Sequence, residues 1–135
     1  MREFVLNPKM LTMGGVFYPT GHAVIMFPEK ADADSTAQAL VADGGFSDDE
    51  VQTLSPATLL RDIGKSEDGT DIPLPSVGTE AATVRSFESL ARQGHHGLVV
   101  AADSREDTER LMQVARRVPF SLAQKYRTLV IEDLK

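Results

Sequence analysis

The stretch His22-Ala23-Val24-Ile25-Met26-Phe27 decides the fold. Every position after the histidine is apolar, so it reads as a strand buried on both faces, not one with a wet side. Pro28 ends it. A helix is expected over residues 30–43, with Asp32 and Asp34 in its first turn, where the helix dipole favours acids. Ala33, Ala37, Leu40 and Val41 give it one apolar stripe, and Gly44-Gly45 stop it. Val51-Gln52-Thr53-Leu54 then reads as a short second strand.

The same pattern returns from His96. His96-Gly97-Leu98-Val99-Val100-Ala101-Ala102 is a second apolar strand, and Asp103-Ser104 open a helix over 104–118. Ser104 and Asp107 are spaced like a capping box in which Asp replaces the usual Glu. Leu111, Val114, Ala115 and Val118 share one face, Pro119 ends the helix, and a last strand is expected over 127–132. The two segments align without a gap: His22 falls on His96, Ile25 on Val99, Ala37 on Leu111, Leu40 on Val114 and Phe46 on Phe120. Identities are few, so the alignment speaks for architecture and leaves ancestry open. Two β-α-β halves with split pairing imply an α+β, ferredoxin-like sheet whose two first strands lie adjacent and antiparallel at its centre. An all-parallel, doubly wound sheet is the competitor. Against it stand the shortness of the second strand and the lack of a glycine-rich turn after the first.

The chain therefore divides, as a single domain over 1–135, into four parts. These are an N-terminal arm (1–20), a first half (21–54), a helical insertion (55–95) and a second half (96–135). In the insertion, Ser55-Pro56 is a cap followed by proline at the first helical position, with Leu59, Leu60 and Ile63 on an apolar side. Residues 65–78 read as a mobile loop, and a helix over 80–93 turns Val84, Phe87, Leu90 and Ala91 inward before Gly94. Phe4, Val5, Leu6, Phe17 and Tyr18 are too apolar to leave the arm in water. Because the central strands do not alternate, their second face also needs a cover. The arm, the middle helices or a second copy could supply it, and the expectation is a homodimer through the sheet face.

The residues Phe27-Pro28-Glu29, Ala31-Asp32-Ala33-Asp34, Ala39-Leu40, Gly45-Phe46, Asp49 and Val51 form a pattern that resembles small bacterial general-stress-type, ferredoxin-like domains. It covers mainly residues 21–55, and more loosely 96–132. The resemblance implies a strand, an acid-rich helix start, a glycine-aromatic turn and a second strand, then a variable middle and a second half. It is a packing pattern without a catalytic signature, so it implies a link to stress physiology and no defined reaction.

Chemistry has few candidates. The chain has no cysteine, which excludes a disulfide framework and any thiolate metal site or nucleophile and points to the cytoplasm. Its first residues lack a signal peptide's apolar stretch, and no apolar run is long enough for a bilayer, so no membrane partner is expected. A net charge of −6 opposes attraction to phosphate backbones. The central strands also lack the aromatics on which an RNA-recognition sheet stacks bases, Phe27 apart, so nucleic acid is disfavoured as a partner. His22, His95 and His96 are candidate ligand-binding residues, since imidazole is the common neutral-pH acid, base or metal ligand. In an antiparallel pair, however, His22 and His96 would stand about 20 Å apart, so no shared metal is expected. The acids of Asp48-Asp49-Glu50 and Glu67-Asp68 lack EF-hand spacing. The serines lack a nucleophile elbow, and no phosphate loop is present. Tyr126-Arg127 could bind a small anion. No catalytic residue and no cofactor is assigned. The leading reading is a non-enzymatic interaction or small-ligand-binding module; the alternative is a dimeric α+β enzyme with a pocket between sheet and helices.

Overall fold

The computed structural model of the protein describes residues 2–12, 15–64, 78–128 and 130–135. These residues form a mixed α+β structure with one six-stranded sheet and four α-helices among them. The strands are β1 (Arg2–Glu3), β2 (His22–Phe27), β3 (Val51–Leu54), β4 (His96–Ala101), β5 (Leu122–Tyr126) and β6 (Ile131–Asp133). The helices are α1 (Lys30–Ala42), α2 (Pro56–Thr58), α3 (Gly78–Arg92) and α4 (Arg105–Ala115), with α2 running on as a π-helical turn, Leu59–Ile63. The spatial order is β1-β3-β4-β2-β5-β6. The pairs β3–β4, β4–β2, β2–β5 and β5–β6 are antiparallel, and β1 lies parallel to β3. Most of the expected loop 65–78 lies outside the described residues; its last residue, Gly78, begins α3.

The two apolar strands occupy the middle because only there are both faces covered. Ala23, Ile25 and Phe27 of β2 join Leu98 and Val100 of β4 in a first core with α1 and α4. Ala33, Ala37 and Leu40 come from α1, and Leu111, Met112, Val114 and Ala115 from α4. Val24, Met26 and Val99 point the other way, into a second core. Its cover is Leu59 and Ile63 of the π-helical turn, Val84, Phe87 and Ala91 of α3, and Phe4, Met10, Val16 and Phe17 of the arm. The arm is pinned by edge-on rings, Phe4 to Phe17 at 6.0 Å, Phe17 to Tyr126 at 6.0 Å and Tyr18 to Tyr126 at 4.9 Å. Sheet-to-sheet packing of a second copy, the expected dimer contact, therefore has no open face on these strands. The chain supplies the cover itself.

Local signals fix the helix starts. Ser55 Oγ accepts from the Thr58 N–H at 3.1 Å, and Pro56 follows it, where a missing N–H costs nothing. Ser104 Oγ accepts from the Asp107 N–H at 3.0 Å. Asp107 in turn pairs with Arg110, which holds its carboxyl below the ordinary range; hydrogen bonds from Ser104 add to this. The acids of Asp48–Glu50 serve a cap, with Glu50 Oε1 accepting from the Ser47 N–H at 2.9 Å.

One element differs from expectation. The last strand expected over 127–132 is the tip and return of a hairpin. The strand that pairs with β2 is β5, which stops at Tyr126. The Arg127 N–H then donates to the Val130 carbonyl at 2.8 Å, and β6 returns from Ile131.

Candidate functional site

The residues singled out in the sequence do not converge. His22 pairs with Ala101 and His96 with Phe27, so the length of the β2–β4 ladder separates them. His22 Nδ1 lies 3.1 Å from the Thr20 carbonyl oxygen, and His96 Nδ1 lies 3.2 Å from that of Gly94. His95 Nδ1 lies 2.9 Å from Ser121 Oγ, whose own hydrogen goes to the Met26 carbonyl at 3.0 Å. His96 opens onto a small depression of about 180 Å³ with Lys30, Asp34 and Ser55. Among the described residues, no three His, Asp or Glu side chains come together as a metal site would need. Nor is any helix among them long and apolar enough to cross a membrane. Tyr126 and Arg127 border one hollow, but their side chains differ in setting. The Tyr126 ring is fully buried against the arm, whereas Arg127 is exposed and faces Glu132 at 3.5 Å.

A cleft does form at the end of the sheet where β2 begins and β5 ends. Two adjoining hollows of about 750 Å³ and 490 Å³ share Asp103, Lys125, Arg127 and Glu132 as walls. Gly21 and Thr20 close one hollow, while Arg105, Thr108 and Met112 of α4, with Arg116 just beyond it and Leu134, line the other. Gly21 ties this end together. Its N–H donates to the Tyr126 carbonyl at 2.8 Å, and its carbonyl accepts from the Ala102 N–H at 3.0 Å. Its φ of +80° suits glycine, and a Cβ there would lie 3.3 Å from Asp103 Oδ1. The Asp103 carboxylate thus sits against bare backbone at the rim.

Lys125 is the centre of the cleft. Across the β2–β5 ladder it stands opposite Ala23, whose methyl leaves room for a long stem on the same face. The residue is only 5% exposed. Its Nζ donates to Thr108 Oγ1 at 2.7 Å and to the Asp103 carbonyl at 3.2 Å. The Thr108 hydroxyl donates onward to the Ser104 carbonyl at 3.0 Å, so its oxygen is free to accept from the amine. Burial pushes the Lys125 ammonium below the ordinary lysine value. Asp103 opposes that shift, Arg127 adds to it, and Glu132 and Asp107 oppose it in turn. Around the amine the walls carry the cations Arg105, Arg116 and Arg127 and the anions Asp103, Glu109 and Glu132. Such a lining suits a small polar molecule that carries a carboxylate.

Of the residues that line the cleft, Tyr126 and Arg127 stood among the candidates. Lys125 was legible in one signal, the alternation Ala123, Lys125 against Leu122, Gln124, Tyr126. That alternation puts Lys125 on the core face once the strand is set at 122–126. Compared with family models, curated proteins and solved structures, the chain matches none.

Proposed function

We propose that the chain is a small-ligand-binding module on a ferredoxin-like core, and that its ligand is a small carboxylate-bearing molecule seated over Lys125. The inner order β3-β4-β2-β5, antiparallel at each step, with α1 and α4 on one face, supports the core reading. The buried Lys125 amine at the meeting of two polar hollows carries the functional reading. Arg105, Arg116 and Arg127 line the hollows around it, and a carboxylate delivered into the cleft would pair with them. Binding without turnover agrees with the resemblance of residues 21–55 to general-stress-type domains, which adds the expectation of a stress-linked role.

The test is a thermal-shift panel of small mono- and dicarboxylates and amino acids, run on the wild type and on Lys125→Met. A ligand of the folded state stabilises by RT ln(1 + [L]/Kd), about 2.7 kcal/mol at a hundredfold excess over Kd. The expected result is a saturable rise in Tm for at least one carboxylate class that vanishes in Lys125→Met. Equal shifts in both proteins, or none across the panel, would contradict the proposal.

A further inference from the structure

We propose that Lys125 is a nucleophilic amine that captures its ligand covalently, as an imine with the carbonyl of a small aldehyde acid or 2-oxo acid. This rests on the reading of the cleft as a carboxylate-binding site and names the ligand class. Thr108 Oγ1 and the Asp103 carbonyl accept from the Lys125 amine and hold it at the wall shared by both hollows. Burial disfavours its ammonium form and so raises the share of nucleophilic, neutral amine. The surroundings supply the other parts of a carbonyl site. Arg127, exposed beside Glu132, can take the ligand's carboxylate, and Asp103, against Gly21, lines the same two hollows as the amine, where its carboxylate can relay protons. Met112 and Leu134 line the same hollow and lend it apolar wall.

The step balances without an oxidant or reductant. The nitrogen lone pair adds to the carbonyl carbon, forming C–N, while the C=O π pair moves to the oxygen, which takes one proton from the nitrogen. A proton from solvent, relayed by Asp103, goes to that hydroxyl, and C–O breaks to release water. The nitrogen's second proton leaves to solvent by the same route, giving C=N. Hydrolysis reverses the sequence, so the capture is reversible and the protein is regenerated.

Glyoxylate and pyruvate are the probes, each with cyanoborohydride as the trapping hydride donor, on the intact chain at limiting reagent and near-neutral pH. Intact mass counts adducts, and peptide mapping assigns them. A lowered pKa raises an amine's neutral fraction, so Lys125 should be trapped in preference to the exposed Lys9, Lys30 and Lys135. A single adduct on Lys125, competed by a non-carbonyl carboxylate and missing in Lys125→Arg, is the expected result. Mapping on the wild type gives the decision even if that variant folds poorly. Labelling of Lys125 at or below the level of the exposed lysines would overturn the imine. If Lys125-dependent thermal shifts persisted in that case, carboxylate binding would stand without covalent capture. If they were absent too, both readings would fall.

Discussion

Lys125 faces Ala23 across the ladder and reaches α4 through Thr108, so one side chain joins β5 to the helix that covers it. Its amine is buried among groups of both signs, with Asp103, Asp107 and Glu132 favouring the charged form and Arg127 opposing it. Burial is the largest influence, and the folded-state value lies below the ordinary 10.5. Between those two values the unfolded chain holds a proton that the folded chain has released. Stability contributed by Lys125 therefore rises as pH climbs through that window, and is lowest beneath it. The expected outcome is a stability difference, wild type minus Lys125→Met, that grows in favour of the wild type as pH rises toward the ordinary lysine value of 10.5. Urea unfolding at several pH values measures it, and groups common to both proteins cancel. A difference that stays flat would mean that the folded chain keeps the charge without penalty.

The strands were legible to different degrees, for reasons visible in their side chains. β2 and β4 announce themselves because their continuous apolar runs have no other way to leave water, and the boundaries of the short β3 agree residue for residue with expectation. β5 and β6 were not legible as a hairpin. Val130-Ile131 after Leu129 outweigh Leu122-Ala123-Gln124-Lys125-Tyr126 on polarity, although the second run is the one that pairs with β2. A buried lysine defeats an apolar pattern, and that defeat hid the cleft. The pairing of β1 with β3 was equally silent, since it joins segments far apart in the chain. Gly97 tests the packing of the central strands. It stands opposite Met26 and Leu54, and an added Cβ would lie 2.9 Å from Met26 Sδ and 3.4 Å from Leu54 Cβ. Gly97→Ala asks only the flexible Met26 to move, whereas Gly97→Val adds bulk against Leu54. The valine variant should lose about 1–3 kcal/mol in denaturant unfolding, and the alanine variant less. A neutral valine variant would mean that β3, β4 and β2 are not in this register.

Taken as a whole, the chain closes both faces of its sheet, one with α1 and α4 and the other with the arm, the π-helical turn and α3. Contact between the four inner strands and a solute is thereby displaced from the faces to the ends of the sheet. The end where β2 begins and β5 stops is the one that gathers mixed charges around a buried amine. The chain has five lysines; Lys9, Lys30 and Lys135 are exposed, and Lys125 is 5% exposed. The lysine side chains therefore report directly on the cleft. The deciding measurement is a pH titration of the intact protein with carbon-labelled lysine, followed by NMR at the Cε positions. One resonance should titrate clearly below the others, vanish in Lys125→Arg, and shift when a carboxylate ligand identified by thermal shift is added. Five resonances that titrate together at the ordinary lysine value, unmoved by ligand, would contradict the account.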